Sequence, residues 1–277
     1  MQRPEAPRSR LHTSGITRAA CTLKDPKRQH AMFMDKLSKS ANRRIGRAMH
    51  IYTMLADSDR VLIAVSGGID SLVLTWILKH WLHKAPIRYE ILAVHIDNGY
   101  DSASADRVAE QLHNIGVPYL IEKTDSWHRA AAAEAGKSIC YHCARLRRNR
   151  LFAIAKEQGF NKIGFGHHKD DILETFFINL LYAGNISTML PKQRLFDGAT
   201  HIIRPMAYLE KKDITAIATA ASIVPVKNPC PQDNGSKRQE ARRIVAELSK
   251  LAPKVKSNIF AALTNIRSEY LLNSQEG

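Results

Sequence analysis

Three short groups of residues have the types and spacing to do chemistry. The first, Ser66-Gly67-Gly68-Ile69-Asp70-Ser71, stands between an apolar run and a helical pattern. Its glycines can take positive φ and bring the backbone close to an anion, the helix N-terminus offers unpaired N–H groups, and the Ser66 and Ser71 hydroxyls can donate to the same anion. Asp70 has the wrong sign for phosphate and suits Mg²⁺. The string could also be a plain capped turn, and it lacks the Gly-Lys-Ser/Thr of a Walker loop. The second group, Cys140-Tyr141-His142-Cys143, sets two thiols at i and i+3 on one helical turn, where Arg145, Arg147 and Arg148 favour the thiolate, the liganding form. Cys230, between Pro229 and Pro231, is a third thiol, while Cys21 has no assigned role. A redox disulfide, a zinc site and an iron-sulfur cluster compete here, and spacing alone favours zinc.

The third group is Gly166-His167-His168-Lys169-Asp170-Asp171. One of Asp170 and Asp171 is expected to bind Mg²⁺ or orient an acceptor, against the alternative that both only cap a helix. His167 and His168 are candidate acid-base groups or packed, hydrogen-bonded residues. Arg147, one turn beyond Cys143, could point toward the phosphate loop, and Arg148 and Arg150 toward RNA; a solvated basic face is the alternative.

The elements that must position these groups alternate. Short branched apolar runs at 60–65, 89–96, 117–122, 162–166 and 201–204 read as strands, and 72–82, 103–115, 140–158, 171–183 and a stretch from about 211 as helices, with Gly116 and Gly159 as stops. The pattern predicts an α/β fold: a parallel five-stranded sheet with helices on both faces and N- and C-terminal helical appendages. Its chemistry belongs at the strand carboxyl ends, which also draws in the loop 95–99. The divisions read from the chain are a basic, disordered arm over 1–29, a helical lead-in over 30–57, a central domain over 58–224 and a C-terminal segment over 225–277.

Across 277 residues, 44% are hydrophobic, enough for a sizeable core, and no apolar run approaches the roughly 18 residues a membrane helix needs, so a cytoplasmic protein without a membrane partner is expected. The formal charge of +15 favours a polyanionic partner, RNA above all. Residues 1–50 hold twelve Lys or Arg against Glu5, Asp25 and Asp35, a faint likeness to an organellar presequence that a solvated tail explains better.

Ser66–Ser71 resembles the Ser-Gly-Gly-x-Asp-Ser loop of the ATP-pyrophosphatase (PP-loop, HUP-like) superfamily. Cys140–Arg148, Gly166–Thr175 and Arg204-Pro205-Met206-Ala207-Tyr208 are similar in order and spacing to the tRNA 2-thiocytidine synthetase family, over roughly residues 35 to 250. The resemblance implies an enzyme that splits ATP with Mg²⁺ to adenylate a tRNA base, cytidine at position 32, and replaces its oxygen by sulfur. By the same resemblance Cys140, Cys143 and Cys230 hold a 4Fe-4S cluster; Ser66, Gly67, Gly68, Ile69, Asp70, Ser71 and Arg147 bind the nucleotide; and Asp70, Asp170, Asp171 and Cys230 act in catalysis. A sulfur donor such as a cysteine desulfurase and a homodimer follow as expected partners. Two features depart from the family pattern: Ile69 replaces the usual loop lysine, and Pro231-Gln232-Asp233 follows Cys230. A lysidine-synthetase-like ligase is the alternative enzyme but leaves the cysteines unexplained. A zinc-stabilised RNA-binding protein would not need the phosphate loop.

Overall fold

The structure, a computed structural model, describes residues 37–132, 139–227 and 237–271; the arm, Cys21 and Cys230 lie outside the described residues. Its centre is β1 (Asp59–Val65), whose side chains are all buried except the half-buried Arg60. Such a strand needs neighbours on both edges and cover on both faces. Parallel pairing supplies β2 (Tyr89–Asp97) on one side and β4 (Lys162–Gly164) on the other. The sheet extends to β3 (Tyr119–Lys123) beyond β2 and to β6 (Thr200–Ile203) beyond β4, all parallel.

The expected five parallel strands are present, with one correction. A sixth, β5 (Lys192–Leu195), pairs antiparallel with β6 at the sheet edge, giving the order β3-β2-β1-β4-β6-β5. Its sequence, Lys-Gln-Arg-Leu, has no apolar run, because an edge strand pairs on one side only and stays partly solvated.

One face is covered by α2 (Ile69–Trp81), buried at every position from Ser71 to Leu78, as befits a helix enclosed on all sides. Beside it α1 (Lys39–Ile51) inserts Ala41, Ile45, Ala48 and Met49 into the same core as Ile214 and Ile217 of α7 (Lys211–Ala220). Arg44 ties the two together with a pair of 2.8 Å bonds to Asp213. α3 (Ser102–Ile115) completes that layer through Val108 and Leu112. The opposite face is closed by α5 (Ile139–Glu157), whose Leu151, Ile154 and Ala155 meet Leu62, Val94 and Ile163.

A short α4 (Ser126–Ala131) precedes α5, and α6 (Lys169–Ala183) follows β4. The expected C-terminal helical appendage divides into α8 (Lys237–Leu251) and α9 (Val255–Ala262) around Pro253, which cannot donate within a helix. Among the described residues no helix is long and apolar enough to cross a membrane.

Chain direction through the sheet diverges between β1 and β4, so the loops after these strands open a crevice at their carboxyl ends. Ile63, at the middle of β1 with no exposed surface, measures how much the fold relies on this strand. Ile63→Ala is expected to cost about 2–5 kcal/mol in urea unfolding with the denaturant slope unchanged; a loss below about 0.5 kcal/mol would remove β1 from the core.

Candidate functional site

The phosphate loop is held in shape by its own serines. Ser71 Oγ donates to Gly68 O at 2.9 Å and accepts from the Ser66 amide at 3.1 Å, while the two hydroxyls lie 3.2 Å apart. Gly67 takes φ +84°, and a Cβ there would stand 2.7 Å from the Val108 side chain. Its carbonyl accepts from the Val226 amide at 2.9 Å, so the chain leading toward the C-terminal segment is tethered to this loop. Ile69 packs against the core; its amide, rather than its side chain, is the part available to an anion.

The second wall comes from the loop after β4. A Cβ on Gly166 would meet the Asp70 carbonyl carbon and oxygen at 2.8 Å and the Ser71 nitrogen at 2.9 Å, so only glycine lets the two loops touch backbone to backbone. His168 is buried where three carboxylates converge: Nε2 lies 3.6 Å from Asp70 Oδ1 and 3.4 Å from Asp171 Oδ2, and Nδ1 lies 3.4 Å from Asp170 Oδ2. The Nδ1 contact is an ion-pair approach rather than a formed hydrogen bond. Burial alone would push the His168 imidazole down, but the Asp170 carboxylate, then Asp171 and Asp70, outweigh it and leave its pKa raised. His167 goes the other way. Burial, then the Arg204 guanidinium, lower it to about 4, and the neutral ring accepts from Arg204 Nε at 3.1 Å.

Asp170 and Asp171 are engaged in holding the site together. Asp170 accepts from the Lys211 amide at 2.8 Å and from Lys256 Nζ at 2.5 Å; burial would raise its pKa, but His168, Lys256 and that amide hold it well below the usual carboxylate range. Asp171 caps α6 by accepting from the His168 amide at 2.9 Å and faces Arg238 at 3.6 Å. Asp70 is the most exposed of the three, at 34% of its side-chain surface against 11% and 16%. Its Oδ1 lies 2.5 Å from Lys211 Nζ. Among the described residues no group of three or more His, Cys, Asp or Glu is arranged to hold a metal ion.

The cysteines stand at the same sheet edge. Cys140 and Cys143 occupy the first turn of α5 with no disulfide between them. Asn98, in the loop after β2, reaches Cys143 Sγ with its Nδ2 at 3.9 Å. His95 at the end of β2 is buried against the Val65 carbonyl at 2.9 Å, and burial lowers its pKa; Arg147 is near enough to lower it further, which places that guanidinium close to the strand ends. Arg150 pairs with Glu122 at 2.8 Å and Glu157 at 3.0 Å, a link between α5 and β3. A basic cavity of about 340 Å³ lined by Arg129, His142, Arg145, Leu146 and Asn149 flanks the cysteine turn. Two thiols on one turn, Cys140 exposed and Cys143 half-buried, suit a soft metal; Cys230, the third expected ligand, is outside the described residues.

Lys211, Lys256, Arg238 and Asn98 are site residues that spacing could not single out. Three of them sit far along the chain in helices that look merely basic.

Residues 37–248 match the PP-loop domain family. A tRNA-cytidine(32) 2-sulfurtransferase from Syntrophotalea carbinolica is 35% identical over 87% of this chain and 94% of its own length. The protein of that name from Bordetella avium is 38% identical over 86% and 76%. Among solved structures, the U34-tRNA thiolase NcsA from Methanococcus maripaludis with its [4Fe-4S] cluster superposes with a TM-score of 0.69 at 20% identity, covering 86% of this chain and 80% of that one. At that identity the likeness is one of fold.

Two outcomes are expected from this geometry. Gly166→Ala should destabilise by about 1–3 kcal/mol in thermal or urea unfolding, because backbone atoms, not side chains, must retreat; a neutral substitution would deny the contact between the loops. The imidazoles of His167 and His168 should titrate on opposite sides of the ordinary value of about 6.5 in NMR, with His167 near 4. With its pKa raised, His168 contributes stability that is full below about 6.5 and lost as pH rises through its folded value, whereas His167 weakens the fold as pH falls from about 6.5 toward 4. His168→Gln should therefore abolish the first dependence and leave the second.

Proposed function

We infer the function from the premise that this chain belongs to the PP-loop family and, within it, to the tRNA-cytidine(32) 2-sulfurtransferases. It is an ATP-dependent tRNA sulfurtransferase that adenylates a tRNA base and exchanges its oxygen for sulfur, at cytidine 32. The observation that carries this reading is a match running nearly the whole length of a curated relative at 35% identity. The geometry supports it: the phosphate loop and Cys143 are joined through the ends of β1 and β2, where Val65, the last residue of β1, is bonded to His95, two residues before the end of β2, and Asn98 follows that end.

The amides of the loop, with the exposed Ser66 hydroxyl, bind the nucleotide phosphates at the start of α2, where the helix dipole also favours them, while Ser71, whose hydroxyl donates to the Gly68 carbonyl, shapes the loop. The C2 oxygen of the base attacks the α-phosphorus, pyrophosphate leaves with the broken P–O bond, and the base carries AMP on that oxygen. Sulfur at the oxidation level of sulfide then bonds to C2, and AMP departs with the oxygen. Asp70, the most exposed of the three carboxylates, is the residue we assign to the Mg²⁺ that accompanies ATP, and Arg147 the one we assign to a phosphate. Asp170 and Asp171 position His168 and the helices around the loop. Cys140, Cys143 and Cys230 would hold the 4Fe-4S cluster, which supplies the sulfur.

The partners in this reading are tRNA and a sulfur donor such as a cysteine desulfurase, met in the cytoplasm. A homodimer fits the exposed apolar Leu180, Leu181, Ile186 and Leu190 after and along α6.

Protein purified without oxygen should hold about four irons with matching acid-labile sulfide per chain. Cys143→Ala should lose both, together with 2-thiocytidine in tRNA, while still binding ATP. Stoichiometric zinc in wild type, with no thiolated nucleoside formed, would overturn the reading in favour of a base-adenylating ligase or a zinc-stabilised RNA-binding protein.

A further inference from the structure

We propose that Lys211 is a second cation of the nucleotide site beside Arg147, the side chain that binds the β- and γ-phosphates of ATP; this rests on the ATP-dependent reading above. A triphosphate brings several negative charges to a loop whose only charged side chain is Asp70, and no Lys or Arg occurs between Arg60 and Lys79. Neither of those two serves the loop. Arg60 pairs with Glu90 and the Gln158 carbonyl at the opposite end of the strand, and Lys79 Nζ lies 2.5 Å from the Ile115 carbonyl. The helix dipole supplies only about half a charge. A full positive charge must come from another element.

Lys211 is the cation that the fold sets on the loop. Its Nζ is 2.5 Å from Asp70 Oδ1, and 48% of its side chain is exposed. Its backbone is fixed, because its amide donates to Asp170 Oδ2 at 2.8 Å and Asp170 is itself clamped by Lys256. The root of the side chain is rigid and the head is free to exchange a carboxylate oxygen for a phosphate oxygen nearby. The neighbouring cations are differently occupied. Lys256 is spent on Asp170, Arg238 faces Asp171 and Glu174, and Lys169 faces Glu210 and Ser257. Lys212 points to Glu210 and is largely solvated.

The test is equilibrium binding of ATP with Mg²⁺, and of AMP, to the full chain and to Lys211→Ala, Lys211→Gln, Lys211→Arg and Lys212→Ala. Loss of a charge-assisted contact should weaken ATP roughly tenfold or more in the Ala and Gln variants. AMP, which lacks the β- and γ-phosphates, should bind all five proteins alike; Lys211→Arg should keep most of the ATP affinity, and Lys212→Ala all of it. Gln keeps the bulk of the stem and guards against misfolding of the Ala variant, checked by circular dichroism. Unchanged ATP affinity in a folded Lys211→Gln, or equal weakening of ATP and AMP, reduces Lys211 to a structural partner of Asp70 and overturns the proposal alone. Wild type that binds no ATP overturns the functional reading and this inference with it.

Discussion

Three carboxylates gathered at one sheet edge are the constraint around which much of this structure is organised. Asp70, Asp170 and Asp171 surround a buried imidazole, and uncompensated negative charge in such a place would cost several kcal/mol. Compensation comes from far along the chain: Lys211 at the start of α7, Arg238 on α8 and Lys256 on α9. Glu174, one turn further along α6, holds α8 in the same way through Arg238 and Arg242. The C-terminal helices are thus drawn to the mouth of the crevice by charge, with Ala241 and Val245 as the apolar contacts that α8 buries.

The same constraint explains why the pKa of His168 is raised while that of His167 is lowered. The two are adjacent, yet one side chain enters the carboxylate cluster and the other lies beside Phe165 and a guanidinium. Opposite pKa shifts in neighbouring residues follow from alternation along an extended segment, where successive side chains leave on opposite sides. The raised His168 pKa favours positive charge where three carboxylates converge, and Lys211 adds a second positive group beside Asp70.

Much of this architecture was legible in the residues. The Val61–Val65 run and the Leu72–Leu78 stretch, apolar except for Thr75, read as a central strand and an enclosed helix, and the Ser-Gly-Gly between them belongs at the carboxyl edge. The short α4 and the edge strand β5 were not legible, because a six-residue Ser-Trp-His-Arg-Ala-Ala stretch and a Lys-Gln-Arg-Leu stretch carry no periodic apolar signal. Nor could spacing decide between Asp170 and Asp171. Their roles depend on Lys256 and Arg238, which are separated from them by more than sixty residues and brought together only by the packing of α8 and α9 on α6.

The link between the two reactive halves is likewise a tertiary fact. Asn98 belongs to the loop after β2 and Cys143 to a helix more than forty residues later, yet they meet because β2 and α5 pack on the same face of the sheet. On the other side, Val226 donates to Gly67, and its side chain lies within 3.3 Å of where a Cβ on that glycine would be. The phosphate loop is therefore gripped by the segment that runs on toward Cys230, while the end of the neighbouring strand leads to Cys143. Both routes run through close-packed contacts, which have less freedom than a solvated loop would. Gly67 and Gly166 are the two places where this coupling has no slack: at each, the absence of a side chain is what allows a distant segment to reach the loop.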